Sequence, residues 1–176
     1  MKRVKGFAVV LGVLLFGTAS CSDSDTPLFS FTRIPVQLEM AGGTRKQLEA
    51  ELALSPAEQE RGLSFRDTIH RDTAMIFPML PPRTVSFWMK DTRAALDMIF
   101  IRTDGRIAMI ARKVKPLDLK PVSSGAPVAG VLELAGGRAD ELGLREGDHV
   151  SWGDCVQAPS ARSSEASPVN FCPPAA

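Results

Sequence analysis

Along most of the chain apolar and polar residues alternate with a period of two, the pattern of half-buried strands. "IPVQLEM" (34–40) alternates, "AGG" turns the chain, and "QLEAELAL" alternates again, which predicts a hairpin. The pattern changes in "SPAEQERGL". There Ser55 can cap, Pro56 suits the first helical position and Glu58 completes a capping box, so a short helix is expected to about Leu63. "TAMIFPML" predicts a strand that "PPR" breaks, because proline donates no ladder hydrogen bond. "TVSFWM" and "LDMIFIR" predict two more, and the Asp-Gly turn chemistry of "TDG" leads the second into "RIAMIARKV". In that hairpin Arg102, Arg106 and Arg112 fall on one parity, while Ile107 and Met109 fall on the other, expected to face the core. "PVAGVLEL" reads as another strand, "GGRADELGL" as a turn with a helical turn, and "EGDHVSW" as a last short strand. About seven strands with two short helices predict a β-rich α+β domain, a compact and mostly antiparallel barrel or sandwich.

The first residues break this pattern. "MKRVKGFAVVLGVLLFGTASC" joins a basic start (Lys2, Arg3, Lys5) to an apolar run from Phe7 to Phe16 and small residues 17–20 before Cys21, which predicts a secretory signal. The run is shorter than the roughly 20 residues a spanning helix needs. Small residues ending at a cysteine resemble a bacterial lipoprotein box, with Thr18 where Leu is usual, and ordinary signal cleavage nearby is the alternative. By that resemblance Cys21 carries the acyl chains, the bilayer is a partner, and Ser22 rather than Asp argues against retention at the inner membrane. The expected location is the periplasmic side of the outer membrane, or the soluble periplasm without acylation. The reading divides the chain into a signal (1–20), a flexible polar tether (21–33), one domain (34–154) and a tail (155–176). Removing 20 of 176 residues leaves 156, enough for a single core. With Cys21 acylated, Cys155 and Cys172 remain as a pair in an oxidising compartment and are expected to form a disulfide that ties down the tail; two free thiols are the alternative.

Charge adds one feature. The net charge is +1, yet residues 83–120 carry nine Lys or Arg against four Asp, while 21–60 and 121–176 each carry three basic and seven acidic residues. A solvated basic strand face explains this, and so does a site for an anionic partner. An exported protein does not meet nucleic acid, so sugar acids, phosphates or lipid headgroups are the expected anions.

"ERGLSFR", "MIFPMLPPRTVSFWMKDTRAALDMIFI", "DGRIAMI", "VLELAGG" and "LGLREGDHV", in this order over residues 36–152, resemble the domain of unknown function 192 family. The resemblance implies a small β-rich domain, often exported, with no agreed activity. Arg61, Gly62, Arg66, Trp88, Lys90, Thr92 and Asp97 match its polar pattern. Asp91 stands where Asn is usual, Ala95 where Pro is, and Ser64 where Met is, and the extra charge of Asp91 beside Lys90 bears on the preferred ligand.

The polar break in "FWMKDTRAALDMIF" is the candidate site. With Phe87, Met89 and Phe100 packed inward, Trp88 and Lys90 are presented together. An indole beside an ammonium suits a sugar-like or anionic ligand, with Asp91, Thr92 and Asp97 as further contacts and Arg61 and Arg66 flanking. The bland alternative pairs Lys90 or Arg61 with Asp97 to hold the turn in a purely structural lipoprotein. Catalysis has weaker support: His70 and His149 have no ligand-spaced neighbours, no nucleophile elbow occurs, and a hydrolase would rest on Asp91 and Asp97 alone. No catalytic residue, metal ligand or cofactor is therefore assigned. Five of seven methionines (Met75, Met79, Met89, Met98, Met109) crowd the middle of the chain; soft Cu(I) ligation competes there with ordinary core packing, which their apolar neighbours favour.

Overall fold

The computed structural model describes residues 30–157 and 167–173, so the signal segment, Cys21 and most of the tether lie outside the described residues. β1 (Arg33–Glu39) and β2 (Arg45–Leu52) form the expected hairpin. Its turn closes with Met40 N–H on the Thr44 carbonyl at 2.9 Å, and Gly42 and Gly43 take φ of +92° and +81°, where a side chain would be strained. α1 (Pro56–Arg61) follows with the capping box formed: Glu58 N–H donates to Ser55 Oγ at 3.2 Å, and Ser55 N–H donates to the Glu58 carboxylate at 2.7 Å. That Ser55 amide is the main reason the Glu58 carboxyl sits below its ordinary pKa.

The main sheet adds β3 (Ala74–Arg83), β5 (Leu96–Ile101), β6 (Ile107–Val114), β8 (Val128–Ala135) and β9 (His149–Trp152), in the order β6-β5-β8-β3-β2-β1-β9. Among the described strands only β2 and β3 run parallel. β4 (Ser86–Phe87) and β7 (Val122–Ser123) make a separate two-stranded sheet. α2 (Arg138–Leu142) and a single turn, α3 (Asp154–Gln157), complete the elements. The domain is sandwich-like rather than a closed barrel: the edge strands β6 and β9 meet only at an isolated bridge between Arg106 and His149.

The sheet is buried on both faces through its middle, which explains the unbroken apolar runs there. Ile34, Val36, Leu38, Ile76, Ile99, Leu132 and Trp152 fill one core. Met75, Phe77, Met98, Phe100 and Val131 face a second core with Leu63 and Met89. Met75, Met79, Met89 and Met98 are all buried there and Met109 packs against it, so the methionines are core filling.

Four local expectations are corrected. "PPR" does not end β3; the strand runs on to Arg83 with a shift in its register against β8 between Pro78 and Arg83, an irregularity that accommodates the missing donors. "TVSFWM" yields only Ser86–Phe87 as strand, so Trp88 lies in a loop. The shared parity of Ile107 and Met109 is broken because Ile101 pairs with Ile107 but Phe100 with Met109, a bulge at Ala108 that sends the two side chains to different cores. α3 adds a third helix to the expected two.

Cys155 and Cys172 form a disulfide with Cα atoms 5.3 Å apart. Beside it Phe171 stacks on Trp152 at 4.3 Å, and the two residues exchange backbone hydrogen bonds. The tail residues 167–173 thus extend the edge at β9.

Candidate functional site

The chain leaves β4 with Phe87 edge-on to Phe77 at 5.1 Å and to Phe100 at 6.2 Å, and with Met89 fully buried. Those anchors force the intervening side chains outward, so Trp88 and Lys90 are exposed, as their parity predicts. Among the described residues no carboxylate lies within ion-pair distance of the Lys90 ammonium.

Two neighbouring loops clamp residues 88–92. Met89 N–H donates to the Asp118 carbonyl at 2.9 Å, and Leu117 N–H to the Thr92 carbonyl at 3.0 Å. From the other side, Phe65 N–H donates to the Asp91 carbonyl at 2.8 Å and Ser64 Oγ to the Lys90 carbonyl at 3.1 Å. Thr92 Oγ1 also donates to the Lys90 carbonyl, at 3.3 Å, and shares a 3.4 Å contact with Ser64 Oγ. Ser64, which replaces the usual Met, therefore supplies a hydroxyl to the clamp. Asp91 has φ of 55°, a left-handed conformation that Asp and Asn both tolerate, so it keeps the backbone that Asn would adopt and adds a charge.

The remaining predicted residues divide by role. Arg61 lies over the Phe65 ring at 4.9 Å and flanks the loop. Arg66 donates from both terminal nitrogens to Glu51, at 3.0 Å through Nη1, and lies over Phe31 at 5.9 Å. Thr92 is buried and serves the clamp. Asp97 is fully buried on β5; its carboxylate accepts N–H groups from Lys113 at 2.7 Å, Gly137 at 2.9 Å and Ala139 at 2.8 Å. The structure thus leaves Trp88 and Lys90 exposed and Asp91 half-buried on one loop, with Arg61 over the neighbouring Phe65, and commits Asp97 to backbone amides. Asp91 and Asp97 do not face a common cleft, which leaves the hydrolase reading without its acid and base pair.

The basic excess over residues 83–120 is partly neutralised in place. Arg102 pairs with Asp104 at 2.8 Å, Arg112 with Asp140 at 2.8 Å, and Arg106 donates to the Gly147 carbonyl at 3.1 Å. Lys90, Lys115 and Lys120 stay exposed.

Sequence reasoning missed Glu133. It lies on β8 between Met75 of β3 and Met98 of β5, buried on the second core face. Burial raises its pKa from 4.5 to about 8, and the Arg66 charge pulls the other way. The signal was present in "VAGVLELA", one acid in a strand otherwise apolar on both faces. Also missed were Phe65, Leu117 and Leu119, large apolar side chains exposed in the two clamping loops. A depression of about 740 Å³ opens between the β1–β2 turn, Arg106, Arg145, His149 and the disulfide, away from the Trp88 loop.

The family model DUF192, described as "Uncharacterized ACR", matches residues 36–152. The chain belongs to the DUF192 family. This DUF192 domain is similar to a crystal structure from Sinorhizobium meliloti 1021, described provisionally as a transcription regulator, with 37% identity and a TM-score of 0.68 over 70% of this chain and 96% of that one. It is also similar to a protein of unknown function from Novosphingobium aromaticivorans DSM 12444, with 38% identity and a TM-score of 0.67 over 72% and 89% of the two chains. No curated protein matches the chain.

Proposed function

We propose that this DUF192 protein is an exported, lipid-anchored envelope protein that binds a small anionic or sugar-like ligand at the Trp88 loop and does not turn it over. The observation that carries this reading is an indole and an unpaired ammonium, Trp88 and Lys90, both exposed on a loop fixed from both flanks. A rigid, exposed aromatic beside a cation loses little conformational entropy on binding and offers both a stacking face and a charge-assisted donor. Export and acylation rest on residues 1–21. A purely structural role accounts for Thr92 and Asp97, whose polar atoms are satisfied internally, but gives no reason to expose Trp88 and Lys90. The description of the Sinorhizobium protein as a transcription regulator has no counterpart in an exported chain.

Trp88 emission tests this. Trp152 is buried and stacked on Phe171, so its emission is a steady background. Envelope sugars, sugar phosphates and glycerol phosphate are titrated in turn into the purified mature protein. A saturable change with one class, lost in Lys90→Ala, supports the proposal; a flat response from the folded protein to every class sinks it.

A further inference from the structure

Four non-glycine residues among those described have a left-handed backbone, and three of them, Phe65 (φ 62°), Asp91 (φ 55°) and Leu117 (φ 59°), sit in the three loops that meet at Trp88. Such a conformation is unfavourable for an L-residue with a side chain and persists only where neighbours enforce it. Here the enforcing bonds are the Phe65–Asp91 and Leu117–Thr92 backbone contacts. The three loops expose four large apolar side chains: Phe65 is 57% exposed, Trp88 55%, Leu117 59% and Leu119 68%. Folding alone gives no reason to hold four large apolar side chains in water at one end of the domain.

The rim of this cluster is cationic. Residues 61–67, 88–93 and 115–120 carry Arg61, Arg66, Lys90, Arg93, Lys115 and Lys120 against Asp67, Asp91 and Asp118, a local charge of +3. Arg93 pairs with Asp67 and Arg66 with Glu51, so the charges left for a partner centre on Lys90, Lys115 and Lys120.

The chain also enters the domain at this end. Arg66, next to Phe65, lies over the Phe31 ring, and its partner Glu51 also lies 3.9 Å from Arg33. Between Cys21 and the first described residue, Ser30, the tether reaches at most about 30 Å, since an extended residue spans about 3.5 Å. An acyl group on Cys21 therefore joins the domain at this end.

We infer that the Phe65, Trp88, Leu117 and Leu119 face docks on an anionic phospholipid surface, with Lys90, Lys115 and Lys120 against the lipid phosphates. The inference rests on the Trp88 reading above and names the lipid headgroup surface as its ligand. Apolar side chains with a basic rim match the amphipathic surfaces that settle at the headgroup boundary, and juxtamembrane basic residues each add to attraction for anionic lipid. The acyl chains on Cys21 would already anchor the protein, so a second contact of this kind serves to orient the domain on the surface.

The test uses the mature protein with the N terminus it carries in the cell. It is mixed with vesicles of phosphatidylethanolamine and phosphatidylglycerol, or of phosphatidylcholine alone, each with and without brominated acyl chains. Depth of insertion to the headgroup boundary predicts roughly a twofold loss of Trp88 emission in brominated anionic vesicles, with buried Trp152 spared. Lys115→Glu with Lys120→Glu, and separately Phe65→Ser with Leu117→Ser, should abolish that loss while the circular dichroism spectrum stays native. Unquenched Trp88 in anionic vesicles overturns the inference; if glycerol phosphate still shifts Trp88, the small-ligand reading stands without it, and if nothing does, both fall. Quenching that is equal in neutral vesicles and survives charge reversal overturns the role of anionic lipid. A blue shift of Trp88 that depends on protein concentration, with no quenching, assigns the face to a second copy of the chain instead.

Discussion

The Asp97 carboxylate accepts the Ala139 amide at 2.8 Å, and through the same oxygen the Gly137 amide at 2.9 Å, so one side chain of β5 fixes the start of α2. Its other oxygen takes the Lys113 amide at 2.7 Å and secures the end of β6. Asp97→Ala orphans these amides at a buried site. Charge-assisted bonds of this kind contribute about 1.5–3 kcal/mol each, so a loss of at least about 3 kcal/mol is expected. Urea denaturation measures it, and the folded fraction should still show the wild-type Trp88 response.

Glu133 makes stability depend on pH. Its folded pKa of about 8 lies above the unfolded value near 4.5, so the folded state keeps a proton that the unfolded state releases. The contribution is fully present below about pH 4.5, erodes as pH rises and is gone above about pH 8. Melting temperature measured across that range should fall towards the alkaline side in wild type. Glu133→Gln should flatten the slope and melt higher at the alkaline end. A wild-type slope unchanged by Glu133→Gln would place the titrating group elsewhere.

Phe65→Gly should be more stable than Phe65→Ala, and Leu117→Gly than Leu117→Ala, by several tenths to about 1 kcal/mol, because both truncations lose the same side-chain contacts while only glycine relieves the left-handed backbone. The same variants should weaken quenching by brominated anionic lipid. Quenching lost in both glycine and alanine variants, with stability returning only in glycine, would identify strain held for binding rather than for folding.

Reduction of Cys155–Cys172 should cost about 3 kcal/mol in the loop-entropy view, since the bond closes a sequence separation of 17. Phe171 would then leave Trp152, so near-ultraviolet dichroism from Trp152 should weaken while the Trp88 response persists.

Strands and the capped helix were legible because period-two alternation and the Ser55–Glu58 spacing are local signals that the tertiary structure does not override. The outward placement of Trp88 and Lys90 was legible for the same reason, as buried Met89 fixes the parity of its neighbours, although the segment is a loop where a strand was expected. What escaped depended on the third dimension. The bulge at Ala108 leaves no mark in the alternation, yet sends Ile107 and Met109 to different cores. Asp97 looked like a site residue because an acid in an apolar strand invites pairing with a cation, and nothing local shows that the amides of residues 113, 137 and 139 converge on it. Glu133 posed the same question in "VLEL" and has a different answer: it is buried beside Arg66, which is already bound to Glu51. Phe65 and Leu117 passed as ordinary loop residues because left-handed backbone cannot be read from a side chain.

The lone parallel pairing gives the domain a seam. β2 and β3 share only two register pairs, Glu51 with Met75 and Leu52 with Ile76, whereas the strands on either side form two antiparallel ribbons. Residues 53–73 stitch them together: Gln59 donates from one amide nitrogen to the carbonyls of Ala53 and Pro78, both at 3.2 Å, and Ala53 N–H donates to Ile76 at 2.9 Å. Phe65 belongs to this same stitch. A ligand that settles on Phe65 and stiffens residues 53–73 should slow amide exchange at Ala53, far from any contact with the ligand itself.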